Sequence, residues 1–256
     1  MKIHLPFTKT DMKKLLPLIA CVLFSTIVVA QDDPAIPPAP KKKKTTVDLS
    51  NRPGDHLLLL LGYTGWAGKP DTIKPEGFSK SINAYFMFDF PFKTNPKLSM
   101  AFGPGISSDH IIFKETYVGI KDLTEEIRFT NQEDTNHFKK TKLATVYAEA
   151  PIEFRYSADP LRGNGLKIAI GVKVGTMLNA HTRNVKLENK NDAVLNDYTM
   201  KEYSKQFFNK NRLVATARVG YGHFTIYGSY QITTLFQDGA AAEIRPFSIG
   251  LTLSGL

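Results

Sequence analysis

The sequence predicts an all-β fold, an eight-stranded antiparallel up-and-down transmembrane β-barrel. Three observations predict it. From residue 54 onward, apolar and polar residues alternate with period two in eight segments, and no 3.6-residue stripe is sustained. The connections between segments alternate long and short, with both ends of the region on the short side. The polar faces consist mainly of small residues, which suits a cramped lumen better than a wet exterior.

Taken in order, Leu57–Trp66 is leucine-rich and alternates least clearly. Ile82–Phe90 and Leu98–Ser107 alternate well, and Thr145–Tyr156 does so more weakly around Pro151. The longest segment sets Leu166, Ile168, Ile170, Val172, Val174 and Leu178 against Lys167, Ala169, Gly171, Lys173, Gly175 and Asn179. Leu213–Tyr221, Phe224–Thr233 and Phe247–Ser254 complete the set. The connections fall at 67–78, 91–97, 114–141, 157–164, 181–211, 222–223 and 235–243. A Greek-key sandwich does not sort its loops in this way.

Five of these segments offer 25 polar-face positions. Seventeen hold Gly, Ala, Ser or Thr, and only Lys167, Lys173 and Arg218 are charged. A soluble barrel wets that face and fills it with large charged side chains; this one reads as a lumen. The apolar faces run 9 to 13 residues without a charge, matching the roughly 9–11 residues of a tilted membrane strand. Aromatic residues gather near the strand ends, Phe90, Phe92, Phe154, Tyr156 and Tyr221 on the short-turn side and Tyr63, Trp66, Phe113 and Phe236 on the long-loop side. Two interfacial girdles are the expectation.

The composition bounds the remaining possibilities. The chain has 256 residues, 42% of them hydrophobic, a mean hydropathy of −0.20 and a formal net charge of +9. That hydropathy excludes a bundle of membrane helices, since only Leu15–Ala30 approaches continuous apolarity. Preceded by Lys2, Lys9, Lys13 and Lys14 and ending Val28-Val29-Ala30, this run makes residues 1–30 an expected signal peptide. Cleavage there removes Cys21, leaving 29 basic and 23 acidic residues, a net charge of +6 and no disulfide or Cys-based zinc site. Residues 31–53 read as a flexible periplasmic leader rich in proline and lysine, and residues 54–256 as the barrel domain. Four of the six net charges sit in Lys41–Lys44, with no interleaved aromatics, so nucleic acid is not an expected partner.

The chemistry-bearing residues fall into two groups. Asp89, Glu149, Glu153, Arg155, Lys167, Lys173 and Arg218 are expected to face the lumen as an ion-pair network, because buried charges must be paired. Glu149 and Glu153, four residues apart on one strand face, stand about 13 Å apart, too far for a paired-carboxylate catalytic site. The second group lies in the 181–212 connection, where Arg183, Lys186, Lys190, Lys201, Lys205 and Lys210 suit the phosphates of lipopolysaccharide. Ser107 and Ser108 neighbour His110 at the long-loop rim, but no Gly-x-Ser-x-Gly elbow, Walker loop or dinucleotide fingerprint accompanies them. The histidines show no metal-ligand spacing, so neither catalytic residues, a metal nor a cofactor is expected.

The strand Tyr147-Ala-Glu-Ala-Pro151-Ile-Glu-Phe-Arg-Tyr156, the Gly-rich Ile170-Gly-Val-Lys-Val-Gly175 and the closing segment from Arg245 to Leu256 carry a resemblance. With them the chain resembles the porin-superfamily outer-membrane β-barrel proteins of Bacteroidetes-type bacteria, the PorT-like group. The resemblance covers residues 54–256 and implies a fold and an outer-membrane location, with no activity attached. The resulting expectation is a non-enzymatic barrel with a plugged lumen and a structural or binding role for its long loops. Its expected partners are outer-membrane lipid, lipopolysaccharide and an unidentified envelope protein. Two alternatives come from other classes: a lipid-modifying enzyme with a rim site, and a soluble periplasmic lipocalin-like barrel holding a hydrophobic ligand.

Overall fold

A computed structural model describes residues 56–254 with the exception of residue 164. The expected signal peptide and the leader lie outside the described residues. Within them thirteen strands run β1 Leu57–Ala67, β2 Lys80–Phe86, β3 Phe88–Phe92, β4 Asn95–Phe102, β5 Gly105–Phe113, β6 Thr116–Gly119, β7 Arg128–Asn131, β8 His137–Ser157, β9 Leu166–Glu188, β10 Val194–Tyr203, β11 Asn211–Tyr221, β12 Phe224–Gln231 and β13 Arg245–Ser254. Among the described residues no helix is long and apolar enough to cross a membrane.

Eight tracks close a ring in the antiparallel order β1-β2-β5-β8-β9-β11-β12-β13, and β13 pairs back onto β1 from Leu58↔Ser254 to Ala67↔Arg245. Closure leaves the ring with no sheet edge, the condition under which strands can cross a membrane. β3 continues the track of β2 past Met87, and β4 leads into β5 past Gly103-Pro104. Ala150 and Pro151 of β8 fall opposite that second break, between the pairs Gly105↔Glu149 and Phe102↔Ile152. A residue with no N–H is tolerated where the ladder is already interrupted.

The alternation turns the fold inside out. On β13 Ser248, Thr252 and Ser254 are buried while Ile249 and Leu251 are 58% and 59% exposed. β9 repeats this, with Ile170 and Val174 outside and Ala169, Lys173 and Met177 inside. The tracks thus present an apolar wall outward and a polar face inward. Near the short turns that wall carries the expected girdle, and Phe90 stacks on Phe102 at 5.2 Å.

The long-loop end departs from expectation in two ways. The 181–211 connection is largely strand: β9 runs on to Glu188 and folds back as β10, so β8, β9 and β10 form a ribbon that outgrows the ring. The second departure concerns Trp66, Phe113 and Phe236, which are buried instead of facing lipid. They join Ile73, Val118, Ile127, Phe207 and Leu235 in an apolar core to which all four long loops contribute. The Trp66 ring meets Phe113 at 5.7 Å and Phe236 at 6.0 Å, and Phe208 packs on Phe236 at 5.1 Å. Backbone bonds such as Ile127 N to Ala240 O (2.9 Å) stitch the loops into a lid over the mouth. Inward-facing residues above the membrane meet other loops, so burial there favours aromatic and aliphatic side chains.

Candidate functional site: a charged lumen and a basic rim

Beneath the lid the charged lumen residues separate into two clusters. The upper one is built on β8, β9 and β11. Glu149 has a fully buried side chain. Its carboxylate accepts from Arg212 Nε at 2.7 Å and from Tyr85 Oη at 2.5 Å, and pairs with Arg212 Nη2 at 2.6 Å and Lys173 Nζ at 3.2 Å. Lys173 Nζ also donates to Tyr85 Oη at 2.9 Å. Arg212 pairs with Asp109 at 2.8 Å, donates to Ser107 Oγ at 2.7 Å, and lays its guanidinium 3.7 Å over the Tyr147 ring. In the lower cluster Glu153 accepts from Arg218 Nη2 at 2.7 Å and Arg155 Nε at 2.9 Å. Arg155 reaches Asp89 at 3.7 Å, and Ser99 Oγ donates to Asp89 at 2.7 Å.

The local sequence explains how β8 and β11 meet across the strand between them. Gly175 of β9 has Glu149 as its register partner on β8 and Arg212 as its register partner on β11. A Cβ at Gly175 would stand 2.9 Å from Glu149 Cγ and 3.5 Å from Arg212 Cγ; one at Gly171 would stand 2.2 Å from Ile152 O of the β8 backbone and 3.1 Å from Glu153 Cγ. These glycines clear the floor over which the β8 carboxylates reach the β11 guanidinium groups.

The seven residues expected in the lumen all line these clusters. Lys167 is only half-buried, at the short-turn end beside Asp89, Arg155 and Arg218. Asp109, Arg212, Tyr85 and Tyr147 were missed. Arg212 and Asp109 lie on the inward face a few residues beyond where alternation is clearest, and Arg212 reads from sequence as one more loop cation. Two cavities lined by the charged groups have volumes of about 30 and 10 Å³, room for a water or two in the first and at most one in the second.

The rim cations divide differently from expectation. Arg183 and Lys201 are register partners on β9 and β10. Lys186 pairs with Asp197 at 3.4 Å, Lys205 Nζ reaches Leu178 O at 3.4 Å, and Lys190 and Lys210 stand apart on the turn and before β11. On the outside of the barrel the apolar wall ends at Tyr63, Ile82, Ile106 and Leu178, and above it Arg183 joins cations that sequence reasoning left out. A groove of about 780 Å³ is lined by Lys80, Lys114, Lys139, Lys140, Lys142 and Arg183, with Phe78, Ile112 and Val185 as its apolar part and Glu76 as its acid. Burial, and then the charges of Arg183, Lys80 and Lys140, push the Lys142 ammonium below its ordinary value. Beside the groove, also above the wall, Ser108 Oγ lies 2.9 Å from His110 Nε2, while His110 Nδ1 is buried without a hydrogen-bond partner. Burial, then Lys142 and Lys80, push His110 down to about 4.

A family model described as outer membrane protein beta-barrel domain matches residues 56–233. The chain belongs to this outer-membrane β-barrel family. Its location is therefore the bacterial outer membrane, which sets aside the soluble periplasmic alternative. None of the curated proteins matches the chain. Among solved structures, it is similar to Ail, the attachment invasion locus protein of Yersinia pestis, at 13% identity and a TM-score of 0.31, covering 78% of this chain and 98% of that one. For an outer-membrane barrel the inward placement of the charged clusters and the outward exposure of aliphatic residues follow from one cause: lipid outside and polar partners within.

Proposed function

We propose that this outer-membrane barrel is non-conducting and non-enzymatic, and that it binds through its outer rim and loops. The basic groove carries the reading. Its six cations sit directly above an apolar wall, the arrangement that suits a phosphorylated lipid whose acyl chains lie along the barrel, so lipopolysaccharide is the proposed ligand. The lid and the paired lumen support a plugged interior. Assignment to the PorT-like group is part of this proposal and rests on the β8 and β9 motifs.

Charge reversal tests the groove. Purified barrel carrying Lys80→Glu, Lys142→Glu and Arg183→Glu is expected to lose co-purifying lipopolysaccharide, whereas reversal of Lys186, Lys190 and Lys210 leaves it. Equal retention by both triple variants defeats the proposal. In planar bilayers the unmodified protein is expected to give no steady channels.

The Ser108–His110 contact favours a second reading, a rim-site lipid hydrolase. A nucleophile and a base are in reach, but His110 lacks the third group that orients such a base. Lipid A mass profiles with the native chain and with Ser108→Ala decide it; a Ser108-dependent change in acyl content would establish the enzyme.

A further inference from the structure

Glu115, His137 and Asp192 come from three separate segments: the link after β5, the start of β8 and the turn between β9 and β10. One ligand atom from each lies within 4.8 Å of the others. The imidazole is 2% exposed, and its Nδ1 lies 2.9 Å from Thr135 O. A carbonyl only accepts, so Nδ1 carries a proton, and Nε2 is the nitrogen that faces the carboxylates. Nε2 is buried with no hydrogen-bond partner, 3.6 Å from Asp192 Oδ1. This is how proteins hold a metal-ligating histidine: one nitrogen fixed by a carbonyl, the other free to coordinate.

The backbone points the same way. Among the described residues, three other than glycine have positive φ, and two of them are Glu115 at 49° and Asp192 at 59°. Such conformations collect where ligands are clamped. Two neighbours touch the site. Lys114 Nζ lies 2.9 Å from Glu115 Oε1, on an exposed side chain that can swing clear, and Glu188, the register partner of His137, is engaged by Lys139 at 3.1 Å.

We propose that Glu115, His137 and Asp192 form a divalent-metal site of the zinc class that fastens the β9–β10 turn to the loop after β5. One imidazole nitrogen with two carboxylate oxygens suits zinc better than calcium, which favours oxygen alone. Solvent completes the coordination. Sequence spacing offers no reason to expect a metal, because the ligands are 22 and 55 residues apart.

The test uses the full barrel in detergent micelles, stripped with chelator and titrated calorimetrically with zinc. One zinc per chain is expected, weakened at least tenfold in Asp192→Asn and lost in His137→Gln. Asp192 is exposed, so its variant keeps the fold. Cobalt substitution is expected to give visible absorption bands that Asp192→Asn alters, and zinc to slow proteolysis in residues 189–193. Absence of saturable zinc binding, unchanged affinity in Asp192→Asn, or tighter binding of calcium than zinc overturns the assignment.

Discussion

Replacing Glu149 by alanine leaves Arg212 and Lys173 inside the barrel without the carboxylate they share. Four contacts of 2.5 to 3.2 Å disappear together. At an effective dielectric constant near 20, one unit pair at the Lys173 separation attracts by about 5 kcal/mol, before desolvation is counted. Measured losses on breaking a buried pair are about 3–5 kcal/mol, and the full burial of this side chain places Glu149→Ala in that range. Glu153→Ala is expected to cost less, about 1.5–3 kcal/mol, because its side chain is 7% exposed where that of Glu149 is fully buried, and the larger of the two cavities adjoins the guanidinium groups it leaves. Urea unfolding of the refolded barrel in micelles measures both, followed by heat-modifiable gel mobility and by the fluorescence of Trp66, the one tryptophan in the chain. A loss below about 1 kcal/mol for Glu149→Ala, or a larger loss for Glu153→Ala, would refute the argument that the upper cluster holds the lumen together.

Three further outcomes are expected. Trp66→Ala removes the ring at the centre of the lid and is expected to cost about 3–5 kcal/mol while the barrel still inserts; native far-UV circular dichroism with a lowered urea midpoint checks this. Gly175→Val drives a side chain into Glu149 and Arg212 and is expected to cost about 1–3 kcal/mol, whereas valine in place of the outward Thr176 leaves the midpoint unchanged. The third concerns acid. His110 is held near 4 in the folded barrel against an ordinary value of 6.5, so between these values the unfolded chain binds a proton that the folded one does not. Stability is expected to fall as pH drops from about 6.5 toward 4, by about 1 kcal/mol after allowing for the half-exposed ring; an unchanged slope in His110→Asn contradicts this.

The ring was legible because period-two alternation survives wherever one face meets lipid and the other meets tightly packed small residues. β9 and β13 display this most clearly, and the glycine at 175 follows from the space its charged neighbours need, that at 171 from the close approach of the β8 backbone. The lid was not legible. Trp66, Phe113 and Phe236 look like interfacial aromatics until contacts between distant loops bury them, and no local pattern records those contacts. Arg212 and Asp109 escaped for a related reason: each lies where the apolar half of the alternation fades, although the inward direction of the strand continues. The extension of β9 beyond Leu178 was hidden as well, because past the membrane its exterior becomes basic and resembles a loop.

That extension has a mechanical consequence. Ten residues separate Leu178 from Glu188, about 33 Å of strand, and a tilt near 40° converts this to about 25 Å of height. The turn at 189–193 is thus carried on a paired mast well clear of the lipid headgroups. A short peptide grafted there is expected to be reachable by an antibody on intact cells, with the ribbon below setting its standoff from the surface.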